Sequence, residues 1–475
     1  MVDPKIITHP HGDRTFTSTL YYGADVRESL KTLPDQSVQC VVTSPPYWGL
    51  RDYGTGSWDG GDPACVHSVG GQVSDNKYTG AITTGQRPGV DASHCRLCGA
   101  TRVDEQIGLE RTPEAYIAVM VDVFREVRRV LRDDGVLWCN LGDSYAGGGG
   151  FSPNSPSNLA GSKQTTQRGA ISGGLKPQGE IKPKDLVGIP WMLAFALRSD
   201  GWYLRSDVIW AKGNPMPEAV TDRPTRSHEY VFLLTKSSRY FYDAEAVREE
   251  AVQADRVRAD KIGGNKGDET HHSPGSIFEG STTRNRRSVW TINSRPYKGA
   301  HFATMPPALA EVCIKAGSSE KGCCPTCGSA WERVIHNPGN PEGILGYKGV
   351  PNAAGTSGSY RKGDSPPEVH APGGVRLKKG HQATQYSKAR DTGTWSPTCK
   401  CSNHVPVPCT VLDPFSGSGT TGYVANRLGR HYVGTDLNLD YLPLAEARLT
   451  GMDPPETDDA TPSEEGGPSS ILDML

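Results

Sequence analysis

The feature that most constrains the fold is an apolar run at residues 38–42 (VQCVV) that is followed directly by residues 43–48 (TSPPYW). The β-branched run predicts a buried strand, and the two prolines end it because they can neither continue a helix nor pair within a sheet. We therefore expect a rigid turn at the carboxyl end of a strand, which is where open α/β sheets bind their ligands.

The turn carries groups that suit a planar, amine-bearing ligand. It offers the Ser44 hydroxyl, the carbonyl of Pro45 before Pro46, and the aromatic faces of Tyr47 and Trp48. Two hydrogen-bond acceptors beside a stacking surface fit a ring with an exocyclic amine, such as a nucleobase turned out of its helix. The alternative interpretation is a proline strand stop followed by core aromatic residues.

A second stretch far along the chain predicts a nucleoside-cofactor site. Residues 409–413 (CTVLD) predict a buried strand that leads through the glycine-rich turn 414–422 (PFSGSGTTG) into a helix. A third predicted strand, 431–435, ends at Asp436, where a carboxylate can accept hydrogen bonds from ribose hydroxyls. The glycines also satisfy G-x-G-x-x-G, so a nicotinamide- or flavin-binding fold is an alternative, whereas a phosphate-binding P-loop would need a lysine after the loop.

Together the two stretches resemble motifs IV and I of the β group of amino-methylating DNA methyltransferases, in which the catalytic motif comes first and the cofactor loop last. The likeness extends from about residue 20 to about residue 450 and is interrupted by insertions. It implies S-adenosylmethionine as the cofactor, double-stranded DNA with a flipped base as the substrate, and N4-methylcytosine or N6-methyladenine as the product. The serine of the S-P-P-Y version favours cytosine N4, with adenine N6 as the alternative.

The resemblance also implies a fold and roles for residues. The fold is a mostly parallel, doubly wound α/β sheet, the S-adenosylmethionine-dependent methyltransferase fold with a permuted motif order. In the catalytic turn, Ser44 and the Pro45 carbonyl would accept hydrogen bonds from the amine, Pro46 would stiffen the turn, and Tyr47 would stack on the base. The expected cofactor-binding residues are Asp25, His301, Phe302, Pro306, Asp413, Phe415, Gly417, Ser418, Gly419, Thr420, Thr421 and Asp436. A helix N-cap is an equally good interpretation of Asp25.

This hypothesis has alternatives in another enzyme class and in an inactive DNA-binding protein. A carbon-5 cytosine methyltransferase would need a nucleophilic cysteine, and Cys409 in the Pro408-Cys409 pair opens the cofactor strand, so it cannot also face the base. A catalytically idle DNA-binding protein would bind DNA without turnover. Whether a restriction nuclease accompanies the chain cannot be read from the residues.

Charge and hydropathy bear on partners and location. The formal net charge of −2 provides no global basic field, so contacts with DNA must come from local patches. No stretch approaches the roughly 20 apolar residues of a membrane span, and the amino terminus lacks a signal peptide's apolar core. We expect a cytoplasmic protein without a membrane partner.

The twelve cysteines predict metal sites more than disulfides, because a reducing compartment disfavours disulfides. His94, Cys323 and Cys409 are competing ligands, and unrelated surface thiols are the alternative. Two sets of four residues have the spacing of structural zinc ligands, which predicts up to two zinc ions: Cys65, His67, Cys95 and Cys98, and then Cys324, Cys327, Cys399 and Cys401.

We expect one catalytic domain interrupted by insertions. Residues 1–19 carry little pattern and predict a loose arm. The predicted divisions are 1–50 with the S-P-P-Y turn, a zinc-binding insertion at 51–106, the continued catalytic domain at 107–245 with a flexible loop at 146–180, a candidate target-recognition segment at 246–290, a cofactor-side helix at 291–320, a zinc-ribbon-like basic insertion at 321–405, the cofactor-binding part at 406–450, and a disordered acidic tail at 451–475.

Overall fold

The computed structural model of the chain describes residues 3–11, 14–49, 56–67, 94–95, 97–103, 106–110, 112–146, 181–215, 217–251, 283–294, 304–336, 390–402 and 405–451. The strands are β1 Lys5–His11, β2 Arg14–Tyr22, β3 Val38–Thr43, β4 Ser57–Asp59, β5 Thr101–Val103, β6 Leu131–Leu141, β7 Tyr203–Ala211, β8 His228–Thr235, β9 Glu249–Glu250, β10 Thr283–Arg284, β11 Val289–Thr291, β12 Trp331–His336, β13 Arg390–Pro397, β14 Thr410–Asp413 and β15 His431–Asp436. The helices are α1 Val26–Lys31, α2 Pro113–Val130, α3 Ile189–Ser199, α4 Pro307–Gly317, α5 Thr420–Arg427 and α6 Leu442–Thr450.

A nine-stranded sheet organises the molecule, in the order β1-β2-β15-β14-β3-β6-β8-β7-β11. The pairs from β2 to β6 are parallel, as is the β7–β11 pair, whereas β1–β2, β6–β8 and β7–β8 are antiparallel. The predicted mostly parallel α/β sheet is therefore confirmed. Strands β14 and β15, which come last in sequence, lie between β2 and β3.

Helices cover both faces of the sheet, as a doubly wound fold requires. Successive β3 side chains enter opposite clusters, because strand side chains alternate between faces: Val41 packs with α2 and α3, and Val42 packs with α4 and α5. Both residues are almost fully buried. The carboxyl ends of the central strands are thus held between two hydrophobic layers.

The predicted loose arm at residues 1–19 is wrong for its described residues. Strands β1 and β2 form an antiparallel hairpin, and β2 also pairs in parallel with β15. The burial pattern of β2 alternates through Phe16, Ser18 and Leu20, but a serine breaks its apolar periodicity. Ser18 is satisfied inside the core because its hydroxyl donates to Asn426 Oδ1 at 3.0 Å. No local sequence pattern points to that partner, which lies 408 positions away.

Part of the candidate target-recognition segment belongs to the main sheet. Strand β11 pairs with β7, and Arg284 and Arg287 both contact the Glu249 carboxylate at 2.7 Å. Contact with DNA by this segment stays a prediction. The predictions for residues 147–180, 252–282, 337–389 and 452–475 lie outside the described residues.

Candidate active site

Hydrogen bonds to one buried carboxylate join the ends of β3 and β14. Thr43 Oγ1 donates to Asp413 Oδ1 at 2.7 Å, and Thr421 Oγ1 donates to Asp413 Oδ2 at 2.8 Å. The Phe415 amide also donates to Oδ1, at 3.1 Å. Thr43 precedes Ser44, and Asp413 precedes the glycine-rich turn. We call residues 44–47 the Ser44 turn. The structure therefore brings the Ser44 turn and the glycine-rich turn, residues 414–422, side by side although they lie far apart in sequence.

The Ser44 turn is held from outside by the segment that follows β5 and by α2. Tyr116 on α2 donates its hydroxyl to the Pro46 carbonyl at 2.9 Å, and Trp48 Nε1 donates to the Glu110 carbonyl at 2.9 Å. The Gly49 amide donates to the Gly108 carbonyl at 2.8 Å. Three hydrogen bonds, donated by one phenol, one indole and one backbone amide to three carbonyls, thus fix the backbone around the prolines.

Tyr47 is anchored by residues that lie outside both the S-P-P-Y motif and the glycine-rich motif. Its hydroxyl donates to Glu229 Oε2 at 2.6 Å, and Glu229 Oε1 is paired with the Lys212 ammonium. An added Cβ on Gly142 would lie 2.6 Å from the Tyr47 ring, so only glycine permits this close packing. Burial, followed by the Glu229 carboxylate, raises the pKa of Tyr47 well above its ordinary value.

Asn140 links this network to Ser44. Its Nδ2 lies 3.0 Å from Glu229 Oε2, 3.1 Å from the Tyr47 hydroxyl and 3.4 Å from Ser44 Oγ. Its Oδ1 is buried and has no hydrogen-bond partner in the described part of the chain. Asn140 on β6 and Glu229 on β8 lie on neighbouring antiparallel strands. Strand register, which sequence alone does not give, brings these side chains to Ser44.

The glycine-rich turn has the backbone that a closely approached ligand needs. Gly417 and Gly419 have φ values of +50° and +76°, which favour glycine. An added Cβ on Gly417 would meet nothing within 4 Å, so the turn is open on that side. The hydroxyl of Tyr22 contacts Ser416 Oγ at 2.7 Å and the Gly417 carbonyl at 2.8 Å, which positions the turn against β2.

Asp436 supports the same turn. Its Oδ2 accepts from the Gly417 amide at 2.7 Å, and its Oδ1 accepts from the Asn438 amide at 2.9 Å. Each oxygen keeps a further lone pair for a ligand hydroxyl. Burial raises the pKa of Asp436 to about 6, and burial likewise raises the pKa of Asp413 to about 6.

The hydroxyls of Ser418, Thr420 and Thr421 are engaged within the protein. Arg448 donates to Ser418 Oγ at 3.1 Å and to Thr420 Oγ1 at 2.7 Å, while Thr421 binds Asp413. The predicted cofactor contacts of these three residues remain untested. Their backbone and that of Gly419, the N-cap of α5, border the open turn.

Asp25 is the N-cap of α1, which confirms one of the two predictions for this residue. Its carboxylate accepts from the Arg27 amide at 2.7 Å and from the Arg27 side chain at 2.7 and 2.9 Å. Although partial burial opposes it, hydrogen bonding to Arg27 lowers the pKa of Asp25. The nearby Gly23 amide donates to the Asp436 carbonyl at 3.0 Å, so Asp25 lies at the same edge as the glycine-rich turn. A role for Asp25 beside the adenine stays a prediction.

The cofactor-side segment is described only from residue 304. Pro306 is the N-cap of α4, and Met305 is buried. His301 and Phe302 lie outside the described residues.

The structure brings together both predicted sets of metal ligands. Within each set, the candidate ligand atoms all lie within 4.8 Å of one another. Neither His94 nor Cys323 nor Cys409 belongs to a set. None of the described helices is long and apolar enough to cross a membrane.

The sequence is similar to known DNA methylases along most of its length. The DNA methylase model of the N6/N4 methyltransferases matches residues 38–324 and 408–447. The Type II methyltransferase M.Cfr9I of Citrobacter freundii is 34% identical over 437 residues, which are 92% of this chain and 89% of the relative. The Type II methyltransferase M.SmaI of Serratia marcescens is 34% identical over 426 residues, which are 90% of this chain and 88% of the relative. Among solved structures, PvuII DNA methyltransferase (cytosine-N4-specific) is 13% identical, with a TM-score of 0.42 over 91% of this chain and 86% of that chain.

Proposed function

The chain belongs to the N4/N6 amino-methylating DNA methyltransferases as a Type II enzyme, and we propose that it methylates N4 of cytosine in double-stranded DNA with S-adenosylmethionine as the methyl donor. The observation that carries this proposal is the hydrogen bond between Thr43 and Asp413, which places the Ser44 turn beside the glycine-rich turn. The serine at the first position of the S-P-P-Y sequence supports cytosine over adenine through the family resemblance. A base extruded from the duplex would enter at the Ser44 turn.

The glycine-rich turn fits the cofactor. The open side of Gly417 leaves room for a ligand against the backbone, and Asp436 offers carboxylate lone pairs at the end of β15 for ribose hydroxyls. When bound, S-adenosylmethionine supplies an electrophilic methyl group on a positively charged sulfur. Asp413 fixes the distance between the two turns, and Gly417 and Gly419 let the backbone approach the ligand.

The Ser44 turn would make the exocyclic amine a better nucleophile. An amine lone pair that is shared with the ring attacks poorly, so acceptors that favour a pyramidal nitrogen stabilise the transition state more than the ground state. Ser44 Oγ and the Pro45 carbonyl are the acceptors, and in the described part of the chain no donor reaches the Pro45 carbonyl. With S-adenosylmethionine bound, the nitrogen would take the methyl group from the sulfur in a single displacement, and the amine would then lose one proton to solvent.

The roles of the rest of the turn follow from its contacts. Pro46 accepts from Tyr116, which keeps the acceptors in place. The Tyr47 ring would stack on the base while its hydroxyl stays bound to Glu229. Because the hydrogen bond to Glu229 holds only the hydroxyl of Tyr47, it fixes the position of the ring beside Ser44 and does not itself occupy a face of the ring.

Identification of the methylated nucleoside tests the proposal. Plasmid DNA from cells that express the protein would be digested to nucleosides, which are separated and identified by mass spectrometry. We expect N4-methylcytosine, and its yield should fall strongly when the Ser44→Ala variant is expressed instead. N6-methyladenine in its place would overturn the assignment to cytosine and leave the family membership intact.

A further inference from the structure

Hydrogen bonds in the loop that carries Cys95 and Cys98 hold the two thiols close together. The Gly99 amide donates to the Cys95 carbonyl at 2.8 Å, and the Cys95 amide donates to the Ala100 carbonyl at 2.7 Å. Gly99 has a φ of +75°, which closes the loop directly after Cys98. The sequence reads Cys-x-x-Cys-Gly.

A second loop, which is separated from the first by more than 200 residues, has the same backbone. The Gly328 amide donates to the Cys324 carbonyl at 2.8 Å, and the Cys324 amide donates to the Ser329 carbonyl at 2.8 Å. Gly328 has a φ of +70° and follows Cys327. The two insertions therefore share the same hydrogen bonds and glycine conformation in a Cys-x-x-Cys-Gly loop, which a chance pair of surface thiols does not explain.

The distances between ligand atoms in the first set are compatible with a tetrahedral zinc site. Cys65 Sγ lies 3.8 Å from Cys95 Sγ, and Cys98 Sγ lies 3.3 Å from His67 Nδ1. Tetrahedral zinc with zinc–sulfur bonds of about 2.3 Å places its sulfur ligands about 3.8 Å apart. This spacing is far longer than a disulfide bond of about 2 Å. The His67 ring stacks on Trp58 with ring centroids 4.8 Å apart, which fixes its orientation.

The first insertion, residues 51–106, needs a bound metal ion because its described part has almost no hydrophobic core. Its hairpin, β4 with β5, consists of two strands of three residues each. Cys95 and Ala100 are buried, but the hairpin residues Ser57 and Asp59 are exposed. A metal ion that joins the two ends of this segment would replace the missing apolar packing.

We propose that both cysteine sets bind structural zinc, with three cysteines and one histidine in the first site and four cysteines in the second, to give two zinc ions per chain. Thiolates and imidazole in closed sets of four are the ligands of structural zinc. The second set consists of Cys324, Cys327, Cys399 and Cys401.

The two sites act on opposite ends of the central strands. The first supports the segment in which Gly108 and Glu110 contact the Ser44 turn at the carboxyl end of β3. The second lies at the amino end, where Gln39 Nε2 donates to the Gly328 carbonyl at 3.4 Å and Gln39 Oε1 accepts from the Thr410 amide at 2.6 Å. The first zinc ion therefore stiffens the surroundings of the catalytic turn, and the second joins residues on both sides of segment 337–389 to β3 and β14.

Metal analysis of the full-length protein tests the proposal. Protein purified without chelators should contain two equivalents of zinc by plasma mass spectrometry, and Cys98→Ser and Cys327→Ser should each contain one. His94→Ala and Cys323→Ala are matched controls, because each removes a potential ligand next to a set and should keep two equivalents. Cobalt-reconstituted protein provides a second readout, since its visible absorption distinguishes a three-sulfur, one-nitrogen site from a four-sulfur site.

The outcomes separate the two sites. If a single variant proves insoluble, its wild-type counterpart reconstituted with cobalt still reports whether the site exists. A wild-type zinc content below one equivalent overturns the proposal. If the wild type contains one equivalent of zinc, the proposal is overturned for the cysteine set whose variant keeps that equivalent. If Cys98→Ser or Cys327→Ser keeps two equivalents, the ligands assigned to that set are wrong.

Discussion

Ser44 is the residue whose removal should separate chemistry from cofactor binding. Its hydroxyl lies at the end of β3, within hydrogen-bonding distance of Asn140 Nδ2 at 3.4 Å and of the Tyr47 side chain. Loss of one acceptor that acts in the transition state should lower kcat by about 10²–10³-fold. We expect Ser44→Ala to show this loss in a methyl-transfer assay with labelled cofactor, while the Kd for S-adenosylmethionine from calorimetry is unchanged.

Ser37→Ala provides the matched control for Ser44→Ala. Ser37 lies before the same strand, and its exposed hydroxyl donates to the Pro34 carbonyl at 2.7 Å. Its substitution should leave kcat unchanged. Wild-type kcat in Ser44→Ala would refute the role assigned to this hydroxyl.

Asp413 should make the stability of the protein depend on pH. Burial raises its pKa to about 6 in the folded state, whereas an unfolded aspartate titrates near about 3.9. The folded state therefore binds the proton more tightly, so the stability contributed by protonation is present below about pH 4 and is lost as the pH rises to about 6. One group with a shift of about two pKa units contributes roughly 3 kcal/mol across this window.

Asp413→Asn removes this titration. The free energy of unfolding is measured by denaturant titration for the wild type and for Asp413→Asn. The wild-type value should exceed the Asp413→Asn value by more at about pH 4.5 than at about pH 6.5. Asp436 is a related buried carboxylate with a pKa of about 6, and the charge of Asp413 adds to that raise, so its contribution cancels only in part in the comparison. A difference between the wild type and Asp413→Asn that stays constant with pH would contradict the raised pKa.

At the scale of elements, continuous β-branched runs were predicted well. The predicted strands at 38–42, 409–413 and 431–435 appear as β3, β14 and β15 with ends shifted by no more than one residue. These strands are buried on both faces, so apolar composition alone identifies them. The β1–β2 hairpin was missed because Ser18, Thr17 and Thr15 interrupt its apolar pattern and are satisfied by distant partners or solvent.

The close contact between α5 and β15 determines whether alanine at position 422 stabilises or destabilises the protein. Gly422 lies within α5, where alanine would ordinarily stabilise a helix by about 1 kcal/mol. An added Cβ there would lie 2.4 Å from Tyr432 Cε1, and the Tyr432 hydroxyl is bound to Ser416 Oγ at 2.7 Å. We expect Gly422→Ala to destabilise the protein by about 1–3 kcal/mol, measured as a lower Tm in calorimetry.

Gly451→Ala is the control for this packing effect. Gly451 follows α6 with a φ of +73°, and an added Cβ would meet nothing within 4 Å. Its substitution should cost only backbone strain of about 1–2 kcal/mol, without affecting cofactor affinity. Gly422→Ala should weaken cofactor binding as well, because Tyr432 contacts the glycine-rich turn through Ser416. A higher Tm in Gly422→Ala would show that the helix has room to shift.

For the whole molecule, the sequence predicted which stretches meet but not how the contacts between them are made. The order of the motifs implied that the Ser44 turn and the glycine-rich turn share an edge, and the Thr43–Asp413 hydrogen bond accounts for their proximity. The Tyr47 anchor formed by Asn140, Glu229 and Lys212 could not be predicted, because it depends on the register of antiparallel strands from different parts of the chain. Long-range register is a property of the folded sheet rather than of any local pattern.

The sheet order predicts that the two ends of the chain will associate without a covalent link. Strands β14 and β15 lie between β2 and β3, so residues 390–475 pair on both sides with strands of residues 1–336. The buried Thr43–Asp413 and Ser18–Asn426 hydrogen bonds cross the same boundary. Co-expressed fragments 1–336 and 390–475 should therefore co-elute in gel filtration and bind S-adenosylmethionine by calorimetry, whereas neither fragment should bind it alone.

A second pair of fragments identifies what holds the halves together. In a pair that carries Cys327→Ser in the first fragment, the proposed second zinc site is broken but the strand pairing is intact. Because two parallel ladders and a continuous hydrophobic core join the halves, this pair should still co-elute, with a lower Tm than the unsubstituted pair. Separation of the Cys327→Ser fragments would mean that the cysteine set, rather than the insertion of β14 and β15 into the sheet, accounts for the association. Separation of the unsubstituted fragments would instead mean that residues 337–389 are needed to close the sheet.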